Sequence, residues 1–134
     1  MLKTRKDPGF SLVELMIAVS ILSVGIVAVL TSFLNSASLL DSLHNRLAAI
    51  NFLEGKISDL RQKAIEEDGI EPDSSQEEIA LGNRRAEFKL EIQPLDVEEL
   101  KDYINEAKFS LSWQEGNKNK EESLVTYLPV LAKK

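Results

Sequence analysis

The sequence predicts an α+β fold: one long N-terminal helix, transmembrane in its first half and amphipathic in its second, packed on a small antiparallel sheet of about three strands. Three observations carry this. An unbroken apolar run fills the first third of the chain, a seven-residue apolar spacing follows it, and the last third alternates apolar and polar residues with period two. A chain of 134 residues has room for one such domain and not for a second independent core.

The helix comes first. Residues 1–9 form a short polar leader carrying Lys3, Arg5 and Lys6, and the chain then turns abruptly apolar. From Leu15 to Leu34 no residue is charged. Those roughly 20 residues, at about 1.5 Å each, make about 30 Å of helix, the thickness of a bilayer's hydrocarbon core. Residues 10–35 are therefore read as a membrane helix. Under the positive-inside rule Lys3, Arg5 and Lys6 keep the N-terminus cytoplasmic and send everything after Leu34 across, a single-pass topology with the C-terminus outside. An ordinary secretory signal has a shorter apolar region, about 7 to 15 residues, although Ser36-Ala37-Ser38 has the small-x-small spacing of its cleavage site. A plain uncleaved anchor fits the same composition.

Beyond the apolar run the pattern becomes periodic. Leu43, Ile50, Ile57 and Ala64 recur every seventh position, Leu40, Leu47, Leu53 and Leu60 fill the alternate slots, and Arg46, Asn51, Asp59 and Arg61 fall on the opposite face. Residues 36–66 thus continue the helix, which from Phe10 to about Glu66 would run roughly 80 Å. Its far end is expected to pack on the chain's own sheet and its nearer part on neighbouring helices. Gly25 is the breaker in the membrane half, and a flexible point and a close helix contact are equally good readings of it.

Residues 67–134 hold the rest of the domain. Glu66 to Gln76, with Gly69, Pro72, Ser74 and Ser75, reads as a solvated loop. Its acids, Glu66, Glu67, Asp68, Glu71 and Asp73, match no EF-hand spacing, so they read as solvent-facing and no metal is assigned. Ala86, Phe88, Leu90 and Ile92 then alternate with charged and polar residues up to Pro94. Asp96-Val97-Glu98-Glu99 has the spacing of a capping box and predicts a short helix or a turn. Ala107, Phe109, Leu111 and Trp113 form the next strand, Gly116-Asn117 turns the chain, and Ser123 to Leu128 returns. Trp113 and Tyr127 are expected in the core.

Composition excludes several classes of function. With 16 basic and 22 acidic residues the net charge is −6, and no Lys/Arg stripe with interleaved aromatics is present, so nucleic acid is not an expected partner. There is no cysteine, hence no disulfide, thiolate metal site or cysteine nucleophile. His44 is the only histidine, and no Ser/His/Asp pattern converges with it. Neither catalysis nor a cofactor is expected.

Glu14 is the one charge between Phe10 and Leu40. A carboxylate near hydrocarbon costs several kcal/mol unless it is paired or lies at the interface, so it marks either headgroup depth or a function. Its neighbours favour function. Gly9-Phe10-Ser11-Leu12-Val13-Glu14, behind a basic leader and ahead of an unbroken apolar helix, resembles the class III signal of type IV pilins and of the pseudopilins of type II secretion.

The resemblance implies that a prepilin peptidase cuts between Gly9 and Phe10, that Phe10 is N-methylated, and that the mature subunit passes from the inner membrane into a filament through an assembly platform. Cleavage would leave a cationic amine on Phe10, i, i+4 from Glu14 on one helical face. In the filament Glu14 would pair with the Phe10 amine of a neighbouring subunit, a registry device because an unpaired charge in low dielectric is costly. The partners implied are the peptidase and other minor pilins or pseudopilins, met through the N-terminal helix.

The tail is similar to the last hairpin of minor pseudopilin I and of its counterpart, the type IV pilus modification protein: Phe109-Ser110-Leu111-Ser112-Trp113, a polar turn, then Leu124-Val125-Thr126-Tyr127-Leu128. This favours a minor subunit, at the tip or in an initiation complex. Both a secretion pseudopilus and a pilus or competence filament accommodate these residues. The competing reading is a bitopic binding or sensor protein whose helix only anchors a small extracytoplasmic domain; it would keep residues 1–9.

Overall fold

The structure, a computed structural model, describes residues 9–131. The leader charges Lys3, Arg5 and Lys6 lie outside the described residues. Five elements follow one another: helix α1 (Leu12–Glu66) and strands β1 (Asp73–Leu81), β2 (Arg84–Pro94), β3 (Ile104–Glu115) and β4 (Lys118–Pro129). The chain divides into two compact units, one ending at Leu40 and the other comprising Asp41 onward, and α1 contributes to both. The α+β class is as expected.

In the first unit α1 passes unbroken through Gly25, where an added Cβ would meet no atom of the chain. Its large apolar side chains, from Leu12 through Leu34, are exposed.

The second unit is a four-stranded antiparallel meander in the order β1-β2-β3-β4, with the rest of α1 on one face. Four strands, not three, is a correction. The segment read as a loop up to Gln76 enters β1 at Asp73 and pairs along nine positions with β2, from Asp73 opposite Ile92 to Leu81 opposite Arg84. Its strand character is concealed because β1 is an edge strand, where polar side chains are tolerated on both faces; only Ile79 and Leu81 are apolar and covered. Two-residue loops join β1 to β2 and β3 to β4, each opening on a glycine with φ near +60° (Gly82 at 60°, Gly116 at 61°), the glycine-first pattern of a tight hairpin turn. Residues between β2 and β3 form a turn, not a helix, closed by Leu100 N–H to Val97 O at 2.9 Å and Ile104 N–H to Leu100 O at 2.9 Å.

Period-two alternation decides which face of each strand is buried. Ala86, Phe88 and Ile92, then Ala107, Phe109, Leu111 and Trp113, then Leu128, face the helix and pack with Ala49, Leu53 and Ala64. Phe52 meets Phe88 edge-on with ring centroids 5.5 Å apart, and Lys56 sits 5.4 Å from each ring while pairing with Glu77 at 3.2 Å. Tyr127 is a further correction. Thr126 and Leu128 point inward, so Tyr127 points out and is 59% exposed, whereas Trp113 is buried as expected at 5%.

The helix stripe also needs revision. The residues covered by the sheet are Ala49, Phe52, Leu53, Ile57, Leu60 and Ala64, whereas Leu40, Leu43 and Leu47 remain exposed. Arg46 and Arg61 do not face away from the sheet. Arg46 pairs with Glu122, and Arg61 donates to Thr126 Oγ1 at 3.0 Å, so both flank the contact.

The end of α1 is tied to the sheet. Gly69 N–H donates to Ala64 O at 2.8 Å, and Ile70 adds a parallel bridge to Val130. A Cβ on Gly69 would lie 2.4 Å from Leu131 Cα, so this close approach requires glycine. The buried Asn105 donates from Nδ2 to Ile70 O at 2.7 Å, locking the same junction to β3.

Candidate functional site

The start of α1 is built by a local hydrogen-bond exchange. Gly9, Phe10 and Ser11 are not helical, and α1 begins at Leu12. Ser11 is its N-cap: the Ser11 hydroxyl accepts the Glu14 N–H at 3.1 Å, and Ser11 O accepts the first helical bond, from Leu15 N–H, at 3.1 Å. Glu14 thus occupies the third helical position of a Ser-x-x-Glu string, in the first turn, where the helix dipole favours an anion. The i, i+4 geometry expected for Phe10 and Glu14 is absent from the uncut chain, because Phe10 precedes the helix. Ser11 went unnoticed in the sequence reading although its spacing to Glu14 is a capping-box signal.

Phe10 is 85% exposed, and an added Cβ on Gly9 would meet nothing within 4 Å. Among the described residues no packing calls for a glycine at this position.

Past the first turn, α1 is long and apolar enough to cross a membrane. Three of its hydroxyls bond to its own backbone: Ser20 donates to Met16 O, Ser23 to Val19 O and Thr31 to Val27 O, at 2.8, 2.7 and 2.8 Å. In a bilayer these bonds satisfy groups that water cannot reach.

The second unit offers no comparable chemistry among the described residues. Its outer sheet face is a polar lattice in which Lys89 and Glu91 approach to 2.6 Å. Their hydrogen bond, aided by charge attraction, holds the Glu91 carboxyl below its ordinary pKa and the Lys89 ammonium above its own. An open groove at the hairpin end, between Gln76, Glu78, Arg85, Glu87, Lys120 and Glu121, mixes opposite charges, and Arg85 lies 3.6 Å from Glu78. The acid-rich segment is split, with Glu66 closing α1 and Asp73 opening β1. Among the described residues no three acids or histidines converge as metal ligands.

No curated protein and no solved structure matches the chain. A family model does match: residues 4–30 fit the prokaryotic N-terminal methylation motif. This stretch contains Gly9, Phe10, Ser11 and Glu14 and most of the membrane-length segment. The motif implies processing by a prepilin peptidase and assembly with other pilins, and with the apolar helix it fits anchoring in the inner membrane. The match therefore supports the type IV pilin and pseudopilin family, whose members are structural subunits and not enzymes.

Proposed function

We propose that this chain is a minor pilin or pseudopilin, cut between Gly9 and Phe10, N-methylated on Phe10, and assembled from the inner membrane into the tip or initiation complex of a type IV pilus or type II secretion pseudopilus. The observation that carries the reading is the exposed, non-helical Gly9-Phe10 segment immediately ahead of a capped, membrane-length helix. A protease binds extended chain, and Gly9 presents it with bare backbone. Among the described residues nothing lies within 4 Å of a Cβ added at Gly9, and that open space suits an external reader.

Lys3, Arg5 and Lys6 hold the leader on the cytoplasmic side. Residues 10–35 form the membrane and filament-core segment, residues 36–66 extend it, and residues 67–134 stay outside. After cleavage the new amine of Phe10 supplies a cationic partner for the Glu14 carboxylate, first within the subunit and then across to a neighbour in the filament. Minor status draws support from the final β3–β4 hairpin, with Trp113 buried near its turn. The chain works by assembly and carries no catalytic residues.

Intact-mass measurement on protein isolated from its native membrane tests the reading. Loss of Met1 to Gly9 together with the gain of one methyl group is expected. A full-length mass would refute it.

A further inference from the structure

We infer that Ser11 is a positioning residue for the cleavage: by capping α1 at Leu12 it keeps the Gly9–Phe10 bond outside the helix, where a peptidase can take it as extended chain. This rests on the processing reading given above. The Ser11 hydroxyl holds the Glu14 N–H at 3.1 Å, the first helical bond closes on Ser11 O, and Gly9 and Phe10 stay non-helical and exposed. The cap acts as a boundary and binds nothing.

A boundary is needed because the sequence contains a second helix start four residues upstream. Asp7 followed by Pro8 is a strong N-cap and first-turn pair, since aspartate caps well and proline at the first helical position loses no hydrogen bond. A helix begun there would include Gly9 and Phe10 and bury the scissile amide in its first turn. Gly9 weakens that alternative, because glycine is a poor helix former. Ser11 with Glu14 opposes it by stabilising the downstream start. The two starts compete, and the downstream one leaves the bond accessible.

The capping role also gives Glu14 an occupation before cleavage. With no Phe10 amine yet available, its carboxylate lies in the positive field of the first turn. The same residue first serves the helix boundary and afterwards assembly.

The test follows cleavage of the full chain in membranes containing a prepilin peptidase, for wild type, Ser11→Ala, Ser11→Asn and the double variant Asp7→Ala/Ser11→Ala. Loss of a cap is expected to slow cleavage of Ser11→Ala by about fivefold. Ser11→Asn, which caps without a hydroxyl, cleaves at the wild-type rate. The double variant recovers, because the competing upstream start has gone; a helix merely weakened at its end would be harmed further by losing Asp7. Equal rates for wild type and Ser11→Ala overturn the inference and leave the processing reading intact. So does slow cleavage of Ser11→Asn, which would mean that the peptidase reads the hydroxyl itself. An uncut wild type refutes the processing reading instead, and this inference with it.

Discussion

The two ends of α1 obey different rules. In its first half, from Leu12 to Leu34, every large apolar side chain is exposed. In its second half Ala49, Leu53 and Ala64 are buried under four strands, and Arg46, Lys56 and Arg61 reach across to β4 or β1. One helix thus carries two kinds of constraint. The sequence of its second half is set by its own sheet; under the proposed function that of its first half is set by lipid before assembly and by other subunits after it.

Substitutions that affect only one of the two halves sharpen the contrast. The largest effect is expected at Glu14. Glu14→Leu leaves insertion near normal and, because the Ser11 cap on its backbone N–H remains, slows processing by no more than Ser11→Ala does; but in the assembled complex a neighbour's Phe10 amine loses its partner, which costs about 3 to 5 kcal/mol for a buried pair. Co-purification with related subunits should fall by orders of magnitude while thermal unfolding of the sheet is unchanged. Incorporation of Glu14→Leu at wild-type levels would remove the registry role.

The converse variant is Leu53→Ala, which opens a cavity at a side chain of zero exposure between α1 and the sheet. It is expected to destabilise the second unit by about 2 to 5 kcal/mol in chemical unfolding. Leu22→Ala, in the uncovered half, should change that stability by less than about 0.5 kcal/mol. Equal losses from the two would erase the distinction.

Smaller still is Arg46→Ala, which breaks the exposed pair with Glu122 and is worth about 0.2 to 1 kcal/mol. The smallest effect depends on pH. The lowered Glu91 pKa contributes stability that is present above the carboxylate's unfolded pKa and is lost as pH falls through its folded value. The raised Lys89 pKa contributes stability that is present below the unfolded ammonium pKa and is lost as pH rises through the folded one. Lys89→Ala should therefore lower the melting temperature slightly at neutral pH and not at all in strong acid, where Glu91 is protonated.

What the sequence disclosed follows the same division. Strands β2, β3 and β4 were legible because each has one buried face, and burial on one face writes period two into the residues, as in Ala86, Phe88 and Ile92. Strand β1 was not, because an edge strand buries almost nothing: Asp73 to Glu78 are all exposed, and only its end is anchored by Ile79 and Leu81. The Gly82-Asn83 turn was nonetheless available as a signal, the same dipeptide as Gly116-Asn117. Tyr127 was misplaced by residue type, although its parity with Leu128 put it outside. At the proposed processing site Gly9, Phe10 and Glu14 were legible by resemblance. Ser11 was legible as a cap only through its Ser-x-x-Glu spacing to Glu14.

The most direct test of the central claim uses single cysteines, introduced into a chain that has none of its own. Leu43 lies on α1 at 45% exposure and Leu53 one face over at zero. In native membranes Leu43→Cys is predicted to crosslink to other pilin-like subunits of the same system, and Leu53→Cys to give no intermolecular product. If Leu43→Cys crosslinked to none of them while the protein was present and processed, the exposed face of the helix would not be an assembly surface, and the account of two constraints on one helix would be contradicted.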